Sequence, residues 1–326
     1  MSKLENSVAE VLKQRGYSYK NGDSSKKIIN FDKSKISQSL FEFLQLHPAC
    51  RSLFNVMIKA DDLTVESILP KLNEMFEQLN TSFLFSAKCK NCGQILTVPN
   101  ISEYNFNFPP EFEMNCPKCH KKVKVTKEIY EPIFSISKND LYKVLHQITL
   151  KFEFLYVESV YECIWCDNSF NVITDVKKIE LECPACHHER EITHVFLFDK
   201  KIQTLVKDKQ GYWLEWYIWK QLRSINAECG LNLAELKVPS NNCEVDVCLL
   251  KEGKLVIIEC KDSNDFRKTI ENLDLFEQIT DKYYLICTKK VQDRQLKPFK
   301  NLLKHKFGFV PPDQIDCISS FIIQND

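Results

Sequence analysis

The stretch from Glu244 to Lys261 concentrates the residue types that can do chemistry. Glu244-Val245-Asp246-Val247-Cys248-Leu249-Leu250 and Leu255-Val256-Ile257-Ile258-Glu259-Cys260-Lys261 are two largely apolar runs joined by Lys251-Glu252-Gly253-Lys254. Apolar, β-branched runs around a polar turn with one glycine predict a β-hairpin. Side chains alternate along a strand, so Glu244 and Asp246 share one face, as do Glu259 and Lys261. Three carboxylates and a lysine can therefore converge beside one sheet. Like charges held close at low dielectric repel, so the cluster needs a divalent cation, and Mg²⁺ suits hard carboxylate oxygens with several retained waters. The plainer reading is an exposed cross-strand pair of Glu259 and Lys261. Against it, Val256-Ile257-Ile258 and Val245 with Val247 mark strands buried on both faces, where unpaired charge is costly.

Asp246 on one strand and Glu259-Cys260-Lys261 on the next resemble the pattern of the PD-(D/E)XK nuclease superfamily. Gly211-Tyr212-Trp213-Leu214-Glu215 and Asn242-Cys243-Glu244-Val245-Asp246 resemble a narrower branch, in which Gly-x-Trp-Leu-Glu opens a helix and an Asn-x-Glu-x-Asp strand follows. Similar domains lie at the C-terminus of CRISPR-associated nucleases, behind a nucleotide-sensing (CARF) domain, and in Mrr-like restriction enzymes and Holliday-junction resolvases. The resemblance is confined to the C-terminal part of the chain. It implies a restriction-endonuclease-like α/β domain with a mixed sheet and phosphodiester hydrolysis with Mg²⁺ or Mn²⁺. By that resemblance Asp246, Glu259 and the Cys260 carbonyl bind the metal, and Glu215 adds a carboxylate from the preceding helix. Lys261 holds or helps deprotonate the attacking water and offsets charge on the phosphate. Glu244 and Gln278 are auxiliary candidates. Glu215 has a plain alternative, since an acid near a helix start is favourable with the dipole.

Four Cys-x-x-Cys pairs form the second signal. Cys89 and Cys92 match Cys116 and Cys119, while Cys163 and Cys166 match Cys183 and Cys186. The intervals fit two Cys₄ zinc ribbons, each with strand-like residues after its knuckles. Four thiolates leave Zn²⁺ no open position, so two structural Zn²⁺ are expected. Redox chemistry is the competing account, but paired sets at ribbon spacing are not a thioredoxin pattern. His120, His187 and His188 follow second knuckles that already supply four cysteines, so they read as outer or exposed residues. Lys118, Lys121, Lys122 and Lys124 make the first ribbon tip basic, which a phosphate contact and a solvated face explain equally.

The fold class expected is multidomain α+β. Residues 1–86 carry helical periodicity in Leu4, Val8, Val11 and Leu12, in Ile36, Leu40, Phe43 and Leu44, and in Leu53, Val56 and Met57. A winged helix and a plain helical bundle both fit there. Ribbons follow over 87–127 and 161–198, with a spacer helix between them over 128–160, where Leu141, Val144, Leu145, Ile148 and Leu155 recur. The nuclease-like domain spans 199–326. No repeat longer than the ribbon duplication is evident.

Lysine plus arginine and aspartate plus glutamate number 44 each, which argues against a protein that coats nucleic acid indiscriminately. Locally, Lys289, Lys290, Arg294, Lys297, Lys300 and Lys304 form a basic run after the strand-like Tyr283-Tyr284-Leu285-Ile286-Cys287. Strand ends and the helix starts that follow them are where α/β sheets dock ligands, so a phosphate-backbone track is expected, with a solvated lysine face as its rival. Trp213, Trp216, Tyr217 and Trp219 share the helix of Glu215 and are mostly core by expectation. Neither a signal peptide nor an apolar run of membrane-spanning length is present, so a cytosolic protein without membrane contact is expected. By resemblance the partner is nucleic acid, DNA favoured over RNA, in a restriction or antiphage setting. A regulatory protein partner and a homodimer stay open. So does the rival reading of a nucleic-acid-binding adaptor or gated effector that does not cut alone.

Overall fold

The computed structural model describes residues 3–20, 23–97, 111–116, 118–126, 131–162, 169–172, 180–182, 186, 189–191, 193–202, 212–225, 231–237 and 242–324. The chain forms two compact units. One comprises Met1–Ser37 with Gln203–Asp326, the other Gln38–Ile202. Helix α1 (Lys3–Gln14), strand β1 (Ser18–Lys20) and helix α2 (Asp23–Asp32) thus belong with the C-terminal residues rather than with the helices that follow them. No described helix is long and apolar enough to cross a membrane.

Helix α3 (Lys35–Leu46) begins before the division at Ser37, and in the second unit α4 (Pro48–Met57) and α5 (Val65–Leu79) lead into the cysteine-bearing strands. Pro48 starts α4 behind His47, whose Nδ1 accepts the Ala49 N–H at 3.1 Å, and Thr64 caps α5 through the Ser67 N–H at 3.3 Å. Leu40, Phe43, Leu53, Phe54, Ile68, Leu72 and Phe76 are fully buried. Strand β2 (Leu84–Lys88) pairs with β3 (Ile95–Thr97), β4 (Glu111–Asn115) with β5 (Lys122–Thr126), and β6 (Glu131–Ile133) closes back on β2.

Ser137 then caps α6 (Lys138–Lys151) by accepting the Asp140 N–H at 3.1 Å. Leu141, Val144, Leu145 and Ile148 are its buried face, as their spacing predicts. Leu155 is not part of that helix. Phe152 turns extended, and Leu155 opens β7 (Leu155–Glu162), because Leu155 to Glu162 alternates as a strand. Strand β7 pairs with β8 (Ser169–Val172), β9 (Glu180–Glu182) with β10 (Glu189–Glu191), and β11 (Thr193–Phe198) closes back on β7. The duplication therefore extends past the cysteines to the closing strands β6 and β11. Among the described residues, β1 and β2 do not pair with each other, and β1 joins the sheet of the first unit.

The first unit resumes with α7 (Tyr212–Ile225), β12 (Leu231–Lys237), β13 (Asn242–Lys251) and β14 (Lys254–Lys261). Helices α8 (Arg267–Glu271) and α9 (Leu273–Ile279) cross over to β15 (Lys282–Cys287), and α10 (Asp293–Leu303) crosses to β16 (Phe307–Val310), before α11 (Ile318–Gln324). The mixed six-stranded sheet has the order β1-β12-β13-β14-β15-β16. It is antiparallel from β1 to β14, and parallel from β14 to β16 because each crossover contains helix. Leu255, Ile257, Tyr283, Leu285 and Cys287 form one core with Val8 and Leu12 of α1, Leu273, Phe276 and Ile279 of α9, and Leu296, Phe299 and Leu303 of α10. Helix α7 packs on β13 and β14, with Trp213, Trp216 and Tyr217 fully buried. Gly308 is required for space, since a Cβ there would meet the Tyr284 ring at 2.5 Å.

Arg15, just after α1, ties the N-terminal elements to this sheet. Its Nη1 donates to the Ile279 carbonyl at 2.5 Å and its Nη2 to Asp281 Oδ2 at 2.7 Å, an oxygen that also accepts the Leu255 N–H at 2.7 Å. Burial raises the Asp281 pKa, but the bonds from Arg15 and the Leu255 N–H outweigh it and hold the carboxyl below its usual range. A depressed carboxyl pKa adds stability above the unfolded value and loses it as pH falls through the folded one. Asp281→Ala should therefore cost this unit about 1–2 kcal/mol at neutral pH, the low end for groups about a third exposed. The gap to wild type should close on acidification, as read by urea unfolding through the fluorescence of Trp213, Trp216 and Trp219. An unchanged midpoint would show that the clasp contributes nothing.

Candidate functional site

The ladder between β13 and β14 runs from Lys251 opposite Lys254 to Val247 opposite Ile258. Beyond that pair a side chain takes over a backbone donor, and the Cys260 N–H goes to Asp246 Oδ2 at 2.7 Å. Asp246 is 8 % exposed and Glu259 5 %. Glu259 Oε1 receives Lys261 Nζ at 2.5 Å and Thr269 Oγ1, from α8, at 3.2 Å. Its Oε2 is buried with no hydrogen-bond partner among the described residues. Burial works against the charge on Lys261, but Glu259 and Asp246 outweigh it and raise the lysine pKa. Burial, then the charges of Asp246, Glu215 and Glu259, push the Cys260 thiol well up. Glu215 of α7 is thus close enough for its charge to act at Cys260, although it does not close into a tight cage. Among the described residues the four cysteines below are the only group of three or more His, Cys, Asp or Glu whose ligand atoms all lie within 4.8 Å of one another.

The other expected site residues divide. Glu244 lies in β13 opposite Glu235, and its side chain falls outside the described residues. Gln278 is not at this site. The parallel register sets Lys282 beside Val256 and Cys287 beside Lys261, so the helix before β15 ends at the far end of β14. There Gln278 is exposed and accepts a bond from Tyr17 Oη at 3.4 Å. The same register splits the basic run. Lys289 and Lys290 follow Cys287 at the Lys261 end, and Arg294 lies in the first turn of α10. That helix then runs back toward the start of β16, which carries Lys304 about 15 Å from Arg294 at a rise of 1.5 Å per residue. Lys297 lies partway, and Lys300 bonds Asp293 at 2.9 Å. Trp213, Trp216, Tyr217 and Trp219 are all buried, with Arg223 over the Trp219 ring at 4.6 Å, so they pack rather than present a stacking face. Sequence reasoning missed Thr269, which belongs to no motif and shows its relevance only through its bond to Glu259.

Cys89, Cys92, Cys116 and Cys119 gather at one point in the second unit. The Sγ atoms of Cys89 and Cys119 are 3.7 Å apart and those of Cys92 and Cys116 3.5 Å. A tetrahedron with Zn–S near 2.3 Å has edges of about 3.8 Å, so the spacing is compatible with a structural zinc. The two knuckles match. The Gly93 N–H bonds the Cys89 carbonyl and the His120 N–H bonds the Cys116 carbonyl, both at 2.8 Å. Gly93 and His120 also share a left-handed backbone, with φ of 72° and 56°. His120 is an exposed turn residue, not a ligand replacement. Backbone N–H groups of Cys119 and Lys118 outweigh burial and bring the Cys116 thiol down to about 6. At Cys92 the Gln94 N–H pulls down, but burial and the other three thiols push it up to about 12. A bound cation would let all four ionise together. In the second set, Cys163, Cys166 and Cys183 lie outside the described residues, and Cys186 lies in the turn between β9 and β10.

No protein-family model matches the chain, and no curated protein matches it. Among solved structures it is similar to Can2 from Sulfobacillus thermosulfidooxidans in complex with cyclic tetra-adenylate. That likeness has 22 % identity and a TM-score of 0.33, over 40 % of each chain. It is also similar to protein VC1899 from Vibrio cholerae, at 12 % identity and a TM-score of 0.42, over 97 % of this chain and 60 % of that one. The chain spans less than two thirds of either. Likenesses at these scores leave the reading of the site to its own geometry.

Cys116→Ser should remove metal from the first cluster and lower the thermal stability of the 38–202 unit, with total zinc read by elemental analysis. Unchanged zinc content would contradict the four-cysteine site.

Proposed function

We propose that the chain is a metal-dependent nuclease that hydrolyses phosphodiester bonds, acting on DNA in preference to RNA, in restriction or antiphage defence. The observation that carries this reading is the buried Oε2 of Glu259, which has no hydrogen-bond partner among the described residues and lies beside Asp246 and Lys261. A buried carboxylate oxygen without a donor is costly unless something else binds it, and a hard divalent cation is the natural occupant. Asp246, Glu259 and the Cys260 carbonyl would hold Mg²⁺ or Mn²⁺, with Glu215 as a further carboxylate. Such a metal supplies Lewis acidity toward a phosphoryl oxygen and a more acidic bound water.

This chain's own groups do the rest. Lys261, held by Glu259, carries positive charge to the place where a phosphate would gain negative charge. The Cys260 N–H fixes one Asp246 oxygen, so that carboxylate cannot swing away. Lys289, Lys290 and Arg294 lie at the same end of the parallel strands and would grip the flanking backbone. The fold supports a restriction-endonuclease-like reading in that an antiparallel hairpin carries the acids and a helical crossover follows it. Two structural Zn²⁺ would hold the duplicated ribbons, the second through Cys163, Cys166, Cys183 and Cys186.

Supercoiled plasmid, linear duplex, single-stranded DNA and RNA, each with Mg²⁺, Mn²⁺ or EDTA, test the reading. Cutting should require the metal and fall at least about 10²-fold in Lys261→Ala, which loses a preorganised charge at the reacting phosphate. Retained cutting in that variant would locate the chemistry elsewhere. For substrate binding, neutralising Lys289, Lys290 and Arg294 should flatten the salt dependence by two to three contacts, roughly one per residue. The pair Lys300→Ala and Lys304→Ala should leave it nearly unchanged, and the opposite ranking would move the substrate track down α10.

A further inference from the structure

The two oxygens of Glu259 have unequal surroundings. Oε1 is held from two sides, by Lys261 at 2.5 Å and by the Thr269 hydroxyl at 3.2 Å, whereas Oε2 is buried without a hydrogen-bond partner among the described residues. The two donors differ in stiffness. Lys261 sits on a long stem with its side chain 26 % exposed, so it alone leaves the carboxylate free to rotate. Thr269 is 3 % exposed, and its β-branched side chain is stiff at χ1. Its helix is tied to the core at its start. Phe266 enters the core, the Ile270 N–H bonds the Phe266 carbonyl at 2.8 Å, and Asp265 accepts the Arg267 N–H at 3.2 Å while pairing with its guanidinium at 2.5 Å.

We propose that Thr269 is a positioning residue for Glu259. Its hydroxyl anchors Oε1, so that Oε2 is the oxygen presented to a divalent cation. The inference rests on the nuclease reading and deepens it. Hydrogen-bond partners of a ligating carboxylate commonly alter metal affinity by 10–100-fold when removed. Thr269→Val keeps the shape and removes the donor, while Thr269→Ser keeps the donor and removes the methyl.

Mn²⁺ binding to the zinc-loaded full chain, followed by electron paramagnetic resonance without substrate, separates the outcomes. Wild type, Glu259→Gln, Thr269→Val and Thr269→Ser are compared, with zinc content and melting temperature as checks on folding. Binding should weaken at least about 10-fold in Thr269→Val and return close to wild type in Thr269→Ser. Thr269→Ala serves as the donorless variant should the valine not fold. Two results would overturn the inference while leaving the nuclease site standing. Either the donorless variant binds like wild type while Glu259→Gln does not, or the donorless and serine variants weaken equally, which is a packing effect. Equal binding by wild type and Glu259→Gln would instead remove the metal site itself.

Discussion

Negative charge buried on neighbouring strands is the constraint around which the C-terminal site is organised. Asp246 and Glu259 are each less than a tenth exposed, and Glu215 is close enough to act on Cys260 between them. Removing carboxylates from water costs several kcal/mol apiece unless charge and hydrogen bonds compensate. Compensation is visible at each contact. A backbone N–H beyond the β13–β14 ladder turns to Asp246, while Lys261 and Thr269 share one oxygen of Glu259. Among the described residues, one buried oxygen of Glu259 is left without a donor. A divalent cation would supply the missing partner.

The sheet makes such a site affordable by being rigid around it. Strand β14 is the junction between antiparallel and parallel halves, so it takes Asp246 from a hairpin on one side and a helical crossover on the other. The crossover brings Thr269 onto Glu259 and returns the chain beside Lys261 at Cys287. Helix α1 seals the core through Val8 and Leu12, and Arg15 fastens it through Asp281 to the backbone of Leu255, at the opposite end of β14 from the acids. The N-terminal elements thereby brace β14 at the end opposite Glu259.

What could be read from residues alone was what local pattern dictates. The hairpin of β13 and β14 follows from alternation around Glu252-Gly253, with Glu252 and Gly253 both at positive φ, as such a tight turn demands. The first cysteine cluster follows from knuckle spacing because four thiols and two tight turns leave little freedom. Long-range relations were not legible. Three-residue β1 carries too little pattern to announce that it joins β12, so residues 1–37 read as part of a helical domain. The direction of α10 depends on a parallel crossover, and only that register shows that Lys304 leaves the site while Lys289 stays. The same register moves Gln278 to the far end. Thr269 was invisible for a simpler reason. A threonine in a five-residue helix has no periodic or motif signal until its partner is known.

The most direct measurement is anomalous diffraction from crystals of the full chain soaked with Mn²⁺ and collected near the manganese edge. A single peak is expected at the end of the β13–β14 hairpin, about 2.1 Å from a carboxylate oxygen of Asp246 and from Oε2 of Glu259, at an oxygen distance typical of small divalent ions. Zinc peaks at the cysteine clusters would be separate from it. No peak between Asp246 and Glu259, with Oε2 instead satisfied by a protein donor, would contradict a metal-dependent site there.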